Sequence, residues 1–160
     1  MHIISQNNLD TAYEQLQSAD DAQLLQMLQE LEQEQPMLLV FARLGELDGM
    51  PPACAAIMGR LALLVHLAMR ASGQHWPPLP ISALMEQQAR LSEQCMEDGD
   101  LGGLLQNCMQ SRQGGLLALC CNLLQAHLAG HSNRAYAGMM FLSAAAICAC
   151  LDTLDASAPQ

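Results

Sequence analysis

The residues best equipped for chemistry in this 160-residue chain are its soft ligands: seven Cys, eleven Met and five His. Such side chains suit copper(I) or zinc. Cys120, His127 and His131 are spaced by seven and four residues, so an unbroken helix would present all three on one face. Cys121 lies about 100° round from Cys120 on the same helix. Gly130, however, is a natural helix stop placed just before His131. Cys148 and Cys150 would stand about 200° apart on a helix and point to opposite sides. No Cys-x-x-Cys and no His-Glu-x-x-His occurs. A zinc or copper site on Cys120, Cys121, His127 and His131 is therefore the alternative reading. The plainer one makes these Cys small core residues and leaves the His pair at a hydrated helix end, with no cofactor.

Nucleophilic catalysis would draw on Cys95, Cys108, Cys120 or Cys121 with His66, His75 or His127. A reactive thiolate needs a helix N-terminus or a cationic neighbour, and none of these Cys clearly opens a helix. Gly-x-Ser-x-Gly, the phosphate-binding P-loop and Gly-x-Gly-x-x-Gly are all missing. The carboxylates Glu30, Glu32 and Glu34 read as a solvated helix face. Asp98 and Asp100 sit in a turn too short for a calcium loop. His66 falls in an apolar stretch and reads as a core histidine bonded to a neighbour. Arg60 and Arg70, on the same stretch, need partners if buried, for which acids of the first helices are available. Trp76, the lone Trp, either plugs an apolar gap in its proline-rich surroundings or serves as an exposed anchor. Flexible Met side chains (Met50, Met58, Met85, Met96, Met109, Met139, Met140) would suit an adaptable apolar groove, although at helical spacing they also suit a core. Trp76, Met139 and Met140 are the candidate interface residues.

Composition bounds what could position these groups. Hydrophobic residues make up 51% of the chain and aromatics 3%, and β-branched residues are scarce beside Leu, Ala, Gln and Met. That balance favours helix. Six Arg, no Lys and sixteen acids give a net charge of −10, which disfavours nucleic acid and anionic membrane surfaces. The first residues, from Met1 to Asn8, lack a basic and apolar leader pattern. An odd number of Cys fits no secreted disulfide scaffold, so a bacterial-type cytoplasm is expected. Ala135 to Leu151 runs 17 residues without a charge, just short of a bilayer span, and its acidic flank disfavours a membrane helix.

Along the chain, Leu9, Ala12, Tyr13 and Leu16 mark one helix face. Ser18 is the expected cap of a second helix, and Pro36 ends that helix or opens a third. Residues 37–47 read as a short buried helix, and 53–71 as a central apolar one. A linker spans 73–81, with Ser82 capping the next helix. Shorter helices at 101–110 and 114–129 follow. A last one runs to about Leu154, capped by Ser132 or Asn133, with a frayed tail over 155–160. At an offset of 78, Glu34-Gln35-Pro36-Met37-Leu38-Leu39 overlies Arg112-Gln113-Gly114-Gly115-Leu116-Leu117. Residues 9–72 and 83–155 then form two similar helical units, with 53–71 and 134–154 as a central pair. The expected fold is an all-α, single-domain helical bundle of six to eight helices. The expected function is a non-catalytic interaction or regulatory protein that binds a protein partner or a second copy of itself. The alternatives are a soft-metal or thiol redox sensor and a helical enzyme without a recognisable motif.

Overall fold

Helix boundaries follow the local chemistry of the chain. In the computed structural model, which describes residues 3–128 and 134–157, Ser5 caps α1 (Gln6–Ser18) by accepting a hydrogen bond from the Asn8 amide at 3.3 Å. Leu9, Ala12 and Leu16 form its buried stripe. The second helix, α2 (Asp21–Glu34), opens at Asp20 rather than Ser18. Asp20 accepts from the Gln23 amide at 2.8 Å, and Gln23 Oε1 accepts from the Asp20 amide at 2.9 Å. That reciprocal pair satisfies two amides that helix geometry would leave orphaned. Ser18 instead donates to the Glu14 carbonyl inside the last turn of α1. Asp20→Ala is expected to cost about 1 kcal/mol, read as a lowered urea midpoint of the helical circular dichroism. An unchanged midpoint would mean that the box contributes nothing.

Pro36 opens α3 (Pro36–Ala42) at its first position, where a missing N–H costs nothing. The buried helix expected over 37–47 stops at Ala42. A 3₁₀ turn, Leu44–Asp48, follows and leaves Leu47 84% exposed. The cause lies in two glycines. Gly49 adopts φ 85°, a left-handed backbone that turns the chain back. Met50 then folds onto Gly45, where a Cβ would stand 2.5 Å from the Met50 methyl carbon.

The fourth helix, α4 (Pro52–Ala71), is buried nearly all round. After the linker come α5 (Ile81–Asp98), α6 (Leu101–Cys108), α7 (Gly114–Leu128) and α8 (Arg134–Ser157). Pro80 precedes α5 without a side-chain cap, so Ser82 does not play that role. Asp100 caps α6 by accepting from the Gly103 amide at 3.0 Å. The expected stop at Gly130, the caps at Ser132 or Asn133 and the end of the tail lie outside the described residues. Among the described residues there are eight α-helices and no strand, the all-α bundle that the composition implies.

Packing follows one scheme in both halves. The first helix lies along the fourth, α1 on α4 and α5 on α8, while α3 packs on α4 and α7 on α8. The halves are also crossed, since α3 packs on α5 and α7 on α1. Two buried glutamines hold these crossings. Gln35 accepts from the Leu79 amide at 2.8 Å and donates to the Pro77 carbonyl at 3.1 Å. Gln113 accepts from the Ile4 amide at 3.5 Å. Each thus grips the residue two before a helix start, Leu79 ahead of Ile81 and Ile4 ahead of Gln6. The two long apolar helices do not form the expected central pair. They meet only briefly, and α7 packs against both, because the Leu-rich face of α7 supplies the apolar surface that α4 buries against.

Candidate functional site

Of the soft ligands expected to share a face, Cys120, Cys121 and His127 all lie on α7. Cys120 and Cys121 are buried in α7. His127 turns back to donate from Nδ1 to the Leu123 carbonyl at 3.1 Å, a bond along its own helix. His131 lies outside the described residues. Cys120 is instead paired across the helix interface with Cys148 of α8, whose thiol hydrogen bond to it, followed by burial, pushes Cys148 well above the ordinary thiol range. Burial raises Cys121 and Cys150 to about 11, and raises Cys108 as well. Among the described residues no group of three or more His, Cys, Asp or Glu is arranged to hold a metal ion. A cavity of about 460 Å³ opens beside Cys108 and Cys148, lined also by Arg90 and Asp152. Its thiols are held protonated, which is the opposite of what a nucleophile or ligand needs, and the Arg90 guanidinium donates to Gln87 at 2.9 Å.

A second cavity, about 410 Å³, gathers Glu34, Gln35, His66, Arg70, His75 and Trp76. Here the charges are used structurally. Glu30 and Glu34 on α2, and His66 and Arg70 on α4, have the same four-residue spacing. They pair as two rungs, Glu34 with His66 at 2.8 Å and Glu30 with Arg70. The acids are therefore not a purely solvated face. His66 is the bonded core histidine expected, at 2% exposure. Arg70 has its acid, whereas Arg60 Nε is buried with no hydrogen-bond partner. Trp76 is 8% exposed, and its indole N–H donates to Ser72 Oγ at 3.0 Å. It plugs the linker instead of projecting from it.

Another open surface is rich in methionine. Between the 3₁₀ turn, α5 and α8 lies a hollow of about 250 Å³. Phe41, Leu47, Met50, Met58, Met85 and Met139 contribute to its lining, with Asp48 as its one charged group among the described residues. It shares Met85, Gln88 and Met139 with a shallower region of about 580 Å³ that continues along α5 and α8 over Ala89, Ser92, Gly138 and Leu142. Together they form one trough. The reason it stays open is helical geometry. On α5, Leu84 and Leu91 point to the core and are buried, so Met85, about 100° further round, cannot. On α8, Met140 takes the core position at 0% exposure, which removes it as an interface residue and leaves Met139 half-buried at the rim. Among the described residues two helices are long and apolar enough to cross a membrane: Pro52–Ala71, 72% buried in its most apolar window, and Ala135–Leu154, 50% buried, whose Gly138, Met139, Leu142 and Ser143 line the trough.

Sequence reasoning named four of the trough methionines, Met50, Met58, Met85 and Met139, but not that they converge. It missed Leu47 and Leu142. Gly45 and Gly49, five residues around an exposed Leu, were the available signal for Leu47; nothing local marked Leu142. Comparison with protein-family models, with curated proteins and with solved structures finds no match to the chain.

Proposed function

We propose that this chain is a non-catalytic interaction protein of the cytoplasm, whose methionine-lined trough accepts apolar side chains of a protein partner. One observation carries the reading: exposed Met85 and half-buried Met139 line one open hollow beside an 84%-exposed Leu47, with the buried Met50 and Met58 behind them. Methionine is unbranched and polarizable, so such a wall can re-form around differently shaped side chains. Contiguous apolar surface of this kind marks binding faces on water-soluble proteins. The polar groups and thiols elsewhere support the same reading: Glu30 and Glu34 pair α2 with Arg70 and His66 of α4, Arg90 bonds Gln87 on its own helix, and Cys148 and Cys121 are held in the protonated form. The seven Cys are free thiols, which accords with a reducing compartment. No cofactor enters this reading.

The test uses an apolar fluorescent dye, anilinonaphthalene sulfonate. Met85→Gln with Met139→Gln keeps length and helix propensity while making the walls polar. The native protein is expected to enhance dye emission, and the double variant to lose most of that enhancement with its thermal melting curve little changed. Equal dye response from both folded proteins would place the binding surface elsewhere and sink the proposal.

A further inference from the structure

We infer that the trough selects a basic amphipathic helix of a partner protein, a refinement that rests on the trough being the binding face. The shape requires an extended apolar stripe rather than a single side chain. The hollow by the 3₁₀ turn continues along α5 past Ala89 and Ser92. Met96, one turn further at 85% exposure, prolongs the same line on that helix. A helix presenting apolar residues at three- and four-residue intervals matches a stripe of this form.

The charge follows from what borders it. Asp48 lies in the lining itself. Glu86, Glu93 and Glu97 are exposed on α5, each about 100° beyond Met85, Ser92 or Met96 and on the side away from the core. Glu46 is exposed next to Leu47, with Arg43 as its ion partner at 3.3 Å. No Arg contributes to either part of the trough among the described residues. Arg70 is paired with Glu30, and Arg90, on the outer face of α5 near Glu86 and Glu93, turns its guanidinium to Gln87 and lines neither part of the trough. The chain as a whole carries −10. A second copy of the chain would bring these acids against their own equivalents, and like charges juxtaposed at an interface oppose association. An anionic lipid surface meets the same repulsion. A helix with Lys or Arg beside its apolar stripe is complementary in shape and in sign.

Two synthetic 18-residue helices serve as probes. Both carry the same Leu stripe, one with Lys flanks and one with Glu flanks, and each is titrated by fluorescence anisotropy at low and high salt. The native chain is expected to bind the Lys peptide at least ~10-fold more tightly than the Glu peptide, with the ratio shrinking as salt screens the charges. Asp48→Lys with Glu86→Lys and Glu93→Lys is expected to invert that preference while retaining affinity for the Leu stripe. Equal binding of both peptides at all salt concentrations would overturn the charge selection and leave the trough as a binding face. Binding of neither peptide, together with a dye response indifferent to Met85→Gln and Met139→Gln, would overturn the trough itself. Uptake of the chain by phosphatidylcholine vesicles without peptide binding would make lipid the occupant and overturn the inference. Formation of a dimer that excludes the Lys peptide would do the same in favour of a second copy.

Discussion

Gln35→Leu is expected to destabilise the fold by about 1–3 kcal/mol, because the buried Leu79 amide is left without its acceptor while the exposed Pro77 carbonyl can turn to water. Gln35 is 3% exposed, and the Leu79 amide it accepts from belongs to a residue only 1% exposed. Leucine fills the volume but can neither accept from that amide nor donate to the Pro77 carbonyl. The linker that delivers the chain into α5 then has no side-chain tether to the end of α2. Urea unfolding measures the loss. Hydrogen exchange locates it, with the Leu79 amide expected to exchange much faster than amides in the middle of α4. Gln113→Leu removes the matching tether at Ile4, whose bond is longer at 3.5 Å, and is expected to cost less. If Gln35→Leu left the unfolding midpoint and the Leu79 amide unchanged, the tether would be ornamental and the crossing of α3 on α5 would owe its stability to apolar packing alone.

The buried thiols of α7 and α8 are expected to resist alkylation far more than those of the unfolded chain. Cys121 and Cys150 lie near 11 where an ordinary thiol stands at 9.0. Since the thiolate is the reacting species, two units correspond to about 100-fold less of it at pH 8. Limited access slows the reaction further. Iodoacetamide labelling followed by mass spectrometry, with and without urea, measures the ratio residue by residue. The same shifts set the alkaline behaviour. Above pH 9 the unfolded chain releases thiol protons that the folded chain retains, so the unfolded state binds fewer protons and stability falls as pH rises. The stabilising contribution is whole below pH 9 and is lost progressively towards pH 11. Native-state labelling of Cys121 or Cys150 at the unfolded rate would show that these thiols are open and would revive a redox role.

Much of the fold was written locally. Asp20 with Gln23, Pro36, Gly73, Gly99 and Asp100 act within a few residues of themselves, so their helix starts and stops are visible in the chain, with Ser18 and Ser82 misread because a better cap or a proline stood beside each. That Gln35 and Gln113 each hold the approach to a helix in the other half depends on two crossings that no local pattern encodes.

The candidate site was legible in its materials and illegible in its assembly. Composition and periodicity by themselves determined an acidic all-α bundle rich in methionine, because helix propensity and amphipathic spacing act over one or two turns. Only the tertiary structure decided which methionines are spent inside. Met139 and Met140 are adjacent in sequence, yet one is at the rim and the other at 0% exposure, since a single residue's rotation of about 100° separates a face covered by neighbours from one left to solvent. Cys120 and Cys148 meet because partners across an interface are chosen by how helices pack, and spacing along one helix does not carry that information.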